Sequence, residues 1–270
     1  MDMLITLYLF VLGLALGSFA LAMVDRMKTG RDWVKGRSEC EYCKHRLKPI
    51  DLVPVLSWLA TGGKCRYCHK KLSMQYPLTE LGVGFAFAAS YVFWPYELGG
   101  AMATSQFVVW LISVVILAGL FIFDMRWFLL PNKLVRPLIA LAVVWALLDI
   151  INQGLSTSIV INYLLAITAS AGVFWALYAV SKGKWIGDGD VRLAVAIGLF
   201  TGSPLEAWLT IFIASVLGIA VVLPSIKKTT KKKRLKLKIP FGPVLILALY
   251  VTVLFGAAVV DWYKFDILYL

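Results

Sequence analysis

The chain has 270 residues, 60% of them hydrophobic, with a mean hydropathy of +0.82 and a formal net charge of +12. Soluble domains carry about 45–50% apolar residues, so this composition excludes a soluble globular protein. It predicts an all-α polytopic membrane protein whose basic excess belongs in the loops.

Apolar runs of about 20 residues are needed to cross roughly 30 Å of hydrocarbon as helix. Eight are predicted, at about 3–24, 78–96, 103–124, 133–151, 158–181, 184–202, 205–225 and 240–262. The sixth has only 13 residues between Asp190 and Gly202, so it is expected to begin near Gly183 and to carry Asp188 and Asp190 with it. The first begins Met1-Asp2-Met3, without the basic start of a cleavable signal, and Arg26, Lys28 and Arg31 follow it. It reads as a retained helix with its N-terminus outside. Connections 25–77, 125–136, 181–192 and 226–238 then fall in the cytoplasm, and they hold 26 of the 27 Lys and Arg residues, as the positive-inside rule requires. The net charge is thus a topology signal with an attraction to anionic lipid. The run "KKTTKKKRLKLK" at 227–238 is expected to be a solvated, lipid-facing loop, with no nucleic-acid partner. No fixed-period repeat and no inverted halves are evident. Three segments result: a first transmembrane helix (1–24), a cytoplasmic tetracysteine domain (25–77) and a seven-helix membrane domain (78–270).

All four cysteines lie in the 25–77 loop, as "CEYC" (Cys40, Cys43) and "CRYC" (Cys65, Cys68). Two C-x-x-C turns can converge four thiolates tetrahedrally on zinc, although their spacing exceeds the usual ribbon range by one residue. A redox dithiol and, from "CRYCH" with His69, a c-type haem site are the rival readings. A basic, cytoplasmic loop keeps its thiols reduced, which favours a structural zinc of the zinc-ribbon kind. Four sulfur ligands close the coordination shell, so such a metal does no chemistry. Between the turns, "DLVPVLSWLATGGKC" is apolar around Pro54 and Trp58. It is expected to pack around the metal or on the membrane interface, or to form one wall of a cofactor or substrate site.

Acids within membrane spans are costly, and each is a candidate functional group. Most here fall at outer ends, as Asp149 and Glu206 do, or in the cysteine loop. Glu80 follows Pro77 and Thr79, where an acid in a first turn complements the helix dipole. Asp124 lies seven residues before Pro131, and Asp190 seven after Gly183. If both stretches are helical, each carboxylate sits roughly 10 Å from its boundary. Two carboxylates at one depth on different helices could share a proton and activate water against a peptide carbonyl; a proton relay in a transporter is the alternative. Gly187 and Gly189 would let a substrate backbone approach.

Taken in order, "LGSFALAMVDR" (16–26), the paired cysteine turns, "VLSWLATGGKCRYCHKKLSMQYPLTEL" (55–81), "DMRWFLLPN" (124–132), "GDGDVRLAVAIG" (187–198) and "IPFGP" (239–243) resemble the bacterial type IV prepilin peptidases, G-x-G-D intramembrane aspartyl proteases that are also N-methyltransferases. The resemblance implies that Asp124 and Asp190 are catalytic. It also implies that a type IV prepilin or pseudopilin is cut after a glycine at the cytoplasmic face of the inner membrane, and that the new N-terminus is methylated from S-adenosylmethionine. No glycine-rich nucleotide fingerprint marks the donor's site. Arg126 and Asn132 stand where relatives often carry acids, Glu41 replaces a common proline, and Asp188 fills the variable position of G-x-G-D.

Overall fold

The computed structural model describes residues 2–32, 36–227 and 240–265. Beyond Lys227 the basic run predicted as a lipid-facing loop lies outside the described residues. The described chain is helical throughout, in the order α1 (Asp2–Lys28), α2 (Leu56–Ala60), α3 (Gln75–Val92), α4 (Ala101–Trp127), α5 (Asn132–Asn152), α6 (Thr157–Ile167), α7 (Val173–Ser181), α8 (Asp188–Thr201), α9 (Pro204–Lys227) and α10 (Gly242–Tyr263). A π-helical turn, Thr168–Gly172, joins α6 to α7 as one continuous helix.

Among the described residues six helical stretches are long and apolar enough to cross a membrane: α1, α4, α5, α6 through α7, α9 and α10. The other two predicted spans are also helices, but shorter. α3 has 18 residues, and α8 has 14, or about 21 Å of rise. The sixth span does not begin near Gly183. α7 ends there, with Lys182 left-handed and the Gly183 N–H reaching back to the Tyr178 carbonyl at 3.0 Å, and the helix restarts only at Asp188.

The chain forms two compact units, one of 1–94 with 114–122 and one of 95–113 with 123–270. In the first, α1 packs along α3 through glycines. A Cβ on Gly13 would meet the Gly84 Cα at 2.8 Å, and one on Gly17 the Glu80 Cα at 2.9 Å. Small residues are what allow membrane helices this approach. The cysteine loop, with α2 inside it, connects the pair.

In the second unit the core is aromatic. Trp110 packs against Trp145, Phe200 and Tyr250 with ring centroids 6.1, 5.7 and 5.8 Å away. Beside it Asp149 is buried and accepts hydrogen bonds from Gln106 (3.4 Å), Gln153 (2.6 Å) and Tyr163 (2.7 Å), which ties α4, α5 and α6 together. α8 docks on the π turn. Gly198 lies so close that a Cβ would meet the Ile167 Cα at 2.5 Å, and the Ser170 hydroxyl donates to the Ala194 carbonyl at 2.8 Å. This contact sets the position of α8, and with it that of Asp190.

Candidate functional site

Asp124 and Asp190 both fall in the second unit, at helix ends rather than in helix interiors. α4 stops at Trp127 because Phe128 turns left-handed (φ 55°, ψ 40°) and its N–H closes on the Asp124 carbonyl at 2.9 Å. Asp124 is therefore in the last turn of α4. Asp190 is in the first turn of α8, where Gly187 caps the helix in extended conformation and its N–H donates to Asp190 Oδ2 at 3.2 Å. The reading that put each acid seven residues deep in continuous helix is corrected on both sides, since non-helical turns 128–131 and 183–187 intervene.

Asp124 is buried, at 6% exposure, and its Oδ2 accepts the Gly242 N–H at 2.9 Å. Gly242 opens α10, so the carboxylate sits at that helix's N-terminus, where a negative charge is favoured. Leu130, in the turn after α4, is seated against both glycines of the site. A Cβ on Gly189 would meet Leu130 Cβ at 2.8 Å, and one on Gly242 would meet Leu130 Cδ2 at 3.3 Å and Asp124 Oδ2 at 2.7 Å. The leucine thus registers α8 against the start of α10, and Asp190 comes within electrostatic range of Asp124. Each carboxylate is held through one oxygen by a glycine amide.

Asp188 is placed differently. Its side chain is 56% exposed and pairs with Arg192 at 2.6 Å, one turn along the same helix. Arg192 also donates to Asn132 Oδ1 at the start of α5. This Asp188–Arg192–Asn132 chain was not read from the sequence, although the i,i+4 spacing of the first pair was a usable signal.

The four cysteine sulfurs lie within 4.8 Å of one another, with Cys40 Sγ and Cys68 Sγ 3.9 Å apart. Tetrahedral zinc with bonds of about 2.3 Å would set sulfurs about 3.8 Å apart, so the cluster fits that ion. Each pair sits in the same turn. The Cys40 N–H donates to the His45 carbonyl and the Lys44 N–H to the Cys40 carbonyl; Cys65 with Lys70, and His69 with Cys65, repeat the pattern. Lys44 and His69 occupy equivalent left-handed positions, and Leu47→Ser38 and Leu72→Gly63 hydrogen bonds close the two turns alike. A local duplication is therefore present where no repeat was expected. Burial would push the Cys65 thiol up, but the N–H groups of Cys68 and Tyr67 outweigh it and bring it to about 7. The Lys70 N–H favours the Cys68 thiolate, yet burial and three neighbouring sulfurs push Cys68 up to about 11. Four sulfurs so close shed their protons together only to a cation. His69 is not in the cluster, which leaves the haem reading without support.

Glu80 is not in a first helical turn, because α3 begins at Gln75. It is buried, and it reaches back to accept the Val55 N–H at 2.6 Å.

Two family profiles match this chain: the bacterial peptidase A24 N-terminal domain over residues 11–94 and the type IV leader peptidase family over 110–223. The prepilin leader peptidase/N-methyltransferase of Stutzerimonas stutzeri is 30% identical over 91% of this chain and 89% of its own length. The chain belongs to the type IV leader peptidase family. The Bacillus subtilis (strain 168) prepilin leader peptidase/N-methyltransferase is 29% identical over 94% of this chain and 96% of its own. A third relative, the type 4 prepilin-like proteins leader peptide-processing enzyme of an Escherichia coli O78:H11 strain, is 31% identical over 78% and 72%. No solved structure matches the chain. For this leader peptidase family member, the first profile falls within the unit that holds the cysteines, and Asp124 and Asp190 lie inside the second.

Proposed function

We propose that this family member is an aspartyl endopeptidase of the inner membrane that removes the leader of a type IV prepilin or pseudopilin, and that it then methylates the new N-terminal amine. Its relatives' names carry both activities. The observation that most supports the peptidase is that Asp124, at the end of α4, and Asp190, at the start of α8, lie within electrostatic range of one another, each gripped at one oxygen by a glycine amide. The second oxygen of each remains for water and substrate.

Close carboxylates share a single proton. The charged one takes a proton from water as the water oxygen attacks the scissile carbonyl carbon, and the protonated one donates to the carbonyl oxygen. When the C–N bond breaks, the amine leaves carrying a proton back from the pair. The cut falls after a glycine, at the cytoplasmic face, with α1 starting outside and the cysteine loop inside. Zinc on Cys40, Cys43, Cys65 and Cys68 holds that loop together and takes no part in hydrolysis. S-adenosylmethionine, when bound, supplies an electrophilic methyl group.

Purified protein in detergent, incubated with a full-length prepilin, should yield a product shortened by its leader on mass analysis, and one methyl group heavier when S-adenosylmethionine is added. An unaltered prepilin under both conditions would reject the reading. The glycine contact gives a finer expectation. In Gly242→Ala the new Cβ would lie 2.7 Å from Asp124 Oδ2, so the carboxylate must shift. Cleavage should drop about 10- to 100-fold, as for small displacements of reacting groups. Gly172→Ala, whose Cβ would find ordinary contact at 3.7 Å, should cleave normally.

A further inference from the structure

Peptidolysis leaves Glu80 and the loop before Cys65 without a task, yet the loop is strained there. Val55 has φ 60° and ψ −52°, and the Leu56 N–H closes on the Pro54 carbonyl at 2.5 Å. That is a γ-turn of the rare form, at a β-branched residue for which positive φ is an outlier. Strain of this kind persists where surrounding structure enforces it, and it concentrates at binding sites. What holds the turn is Glu80, whose Oε2 takes the Val55 N–H while the Ser18 hydroxyl bonds the same carboxylate.

Glu80 is 5% exposed, and both of these partners are neutral. A buried acid ordinarily faces a cation, and among the described residues none contacts it. It lines a cleft of about 170 Å³ together with Ser18, Asp25, Trp58 and Tyr76. The lining also carries four other acids and five bases, of which Arg31 pairs with Glu39 and Arg66 with Asp51 (2.8 Å). Trp58 presses its ring on Gly63, whose backbone is left-handed and has no room for a side chain, and its buried indole N–H has no hydrogen-bond partner among the described residues. The cleft therefore offers one buried carboxylate without an ion-pair partner among the described residues and one unused donor.

We propose that this cleft receives the methionyl end of S-adenosylmethionine, with the sulfonium and ammonium toward Glu80 and the carboxylate accepting the Trp58 N–H. The inference rests on the methyl transfer proposed above. Whole ligands of this size occupy roughly 300 Å³ or more, so the nucleoside end extends out of the cleft. In the transfer the amine's lone pair forms the N–C bond as the S–C bond breaks, its electrons return to sulfur, and the amine's proton passes to water. Sulfur thereby becomes neutral, so Glu80 holds the spent donor less firmly than the loaded one.

Equilibrium dialysis of the full chain in detergent tests this, using S-adenosylmethionine and S-adenosylhomocysteine, with zinc content as the check on folding. Wild type should prefer the sulfonium. Glu80→Gln keeps an acceptor for the Val55 N–H, so a purely structural Glu80 predicts unchanged binding. The proposal predicts about 10- to 100-fold weaker S-adenosylmethionine binding and loss of the preference, as expected for removing a hydrogen bond to a charged group. Trp58→Phe should weaken binding about 3- to 10-fold, and it decides the matter if Glu80→Gln loses its zinc. Wild-type affinity and preference in both variants, in a protein that still methylates trimmed pilin, would overturn the cleft and leave the function standing. A wild type that neither binds the donor nor methylates would overturn both.

Discussion

Asp190→Asn is expected to slow leader cleavage by about 10²- to 10⁴-fold, the range typical of one acid–base group, whereas Asp188→Asn should stay within a few-fold of wild type. The two acids are two residues apart in one helical turn and so point about 200° apart. Asp190 turns inward, where the Gly187 N–H holds one oxygen and the Asp124 charge is felt. Asp188 is 56% exposed and bound to Arg192, an i,i+4 surface pair of the kind worth about 0.3–0.5 kcal/mol. Asparagine preserves the shape of either side chain and removes only the capacity to exchange a proton. Cleavage rates at equal membrane abundance check this directly. An inactive Asp188→Asn beside an active Asp190→Asn would reverse the assignment.

Zinc removal is expected to unfold the cysteine loop while the membrane helices remain. The loop has two knuckles, two isolated bridges and the short α2, too little buried apolar surface to fold unaided. Metal ligation in such units supplies on the order of 10 kcal/mol. One zinc per chain should be found in pure protein. A strong chelator should make all four thiols reactive and open the loop to protease between α1 and α3. Cys43 is exposed and Cys40 and Cys65 are buried, so shielding of all four before chelation reports the metal rather than burial. In intact cells Cys43 should escape a membrane-impermeant thiol reagent. Absence of zinc, or labelling of Cys43 from outside, would count against the metal or the orientation.

Six of the eight spans, the clustering of the four sulfurs and the electrostatic proximity of Asp124 and Asp190 were legible because each rests on a local pattern: apolar length, C-x-x-C spacing, an acid in a greasy run. Helix ends were not. Phe128 adopts a left-handed cap with none of the glycine that usually signals one, so α4 seemed to continue toward Pro131. Gly183 does carry that signal, but it was absorbed into a span that had to be made long enough. The glycine spacing Gly13-x-x-x-Gly17 was in plain view, and its partners, Gly84 and Glu80, were not. Likewise Glu80 finds Val55, and Asp149 finds Gln106 and Tyr163, only through the tertiary fold. Acids placed by sequence at a helix start or an outer end proved to be buried hubs.

Asp124→Asn, given full-length prepilin and, separately, already trimmed pilin with S-adenosylmethionine, puts the paired-carboxylate site to its most direct test. Among the described residues Asp124 accepts only the Gly242 amide, which asparagine can still satisfy through its carbonyl oxygen, so the fold should survive. The expected masses show an uncut prepilin in the first reaction and a methylated pilin in the second. Cleavage at the wild-type rate by Asp124→Asn would contradict an aspartyl mechanism at this site.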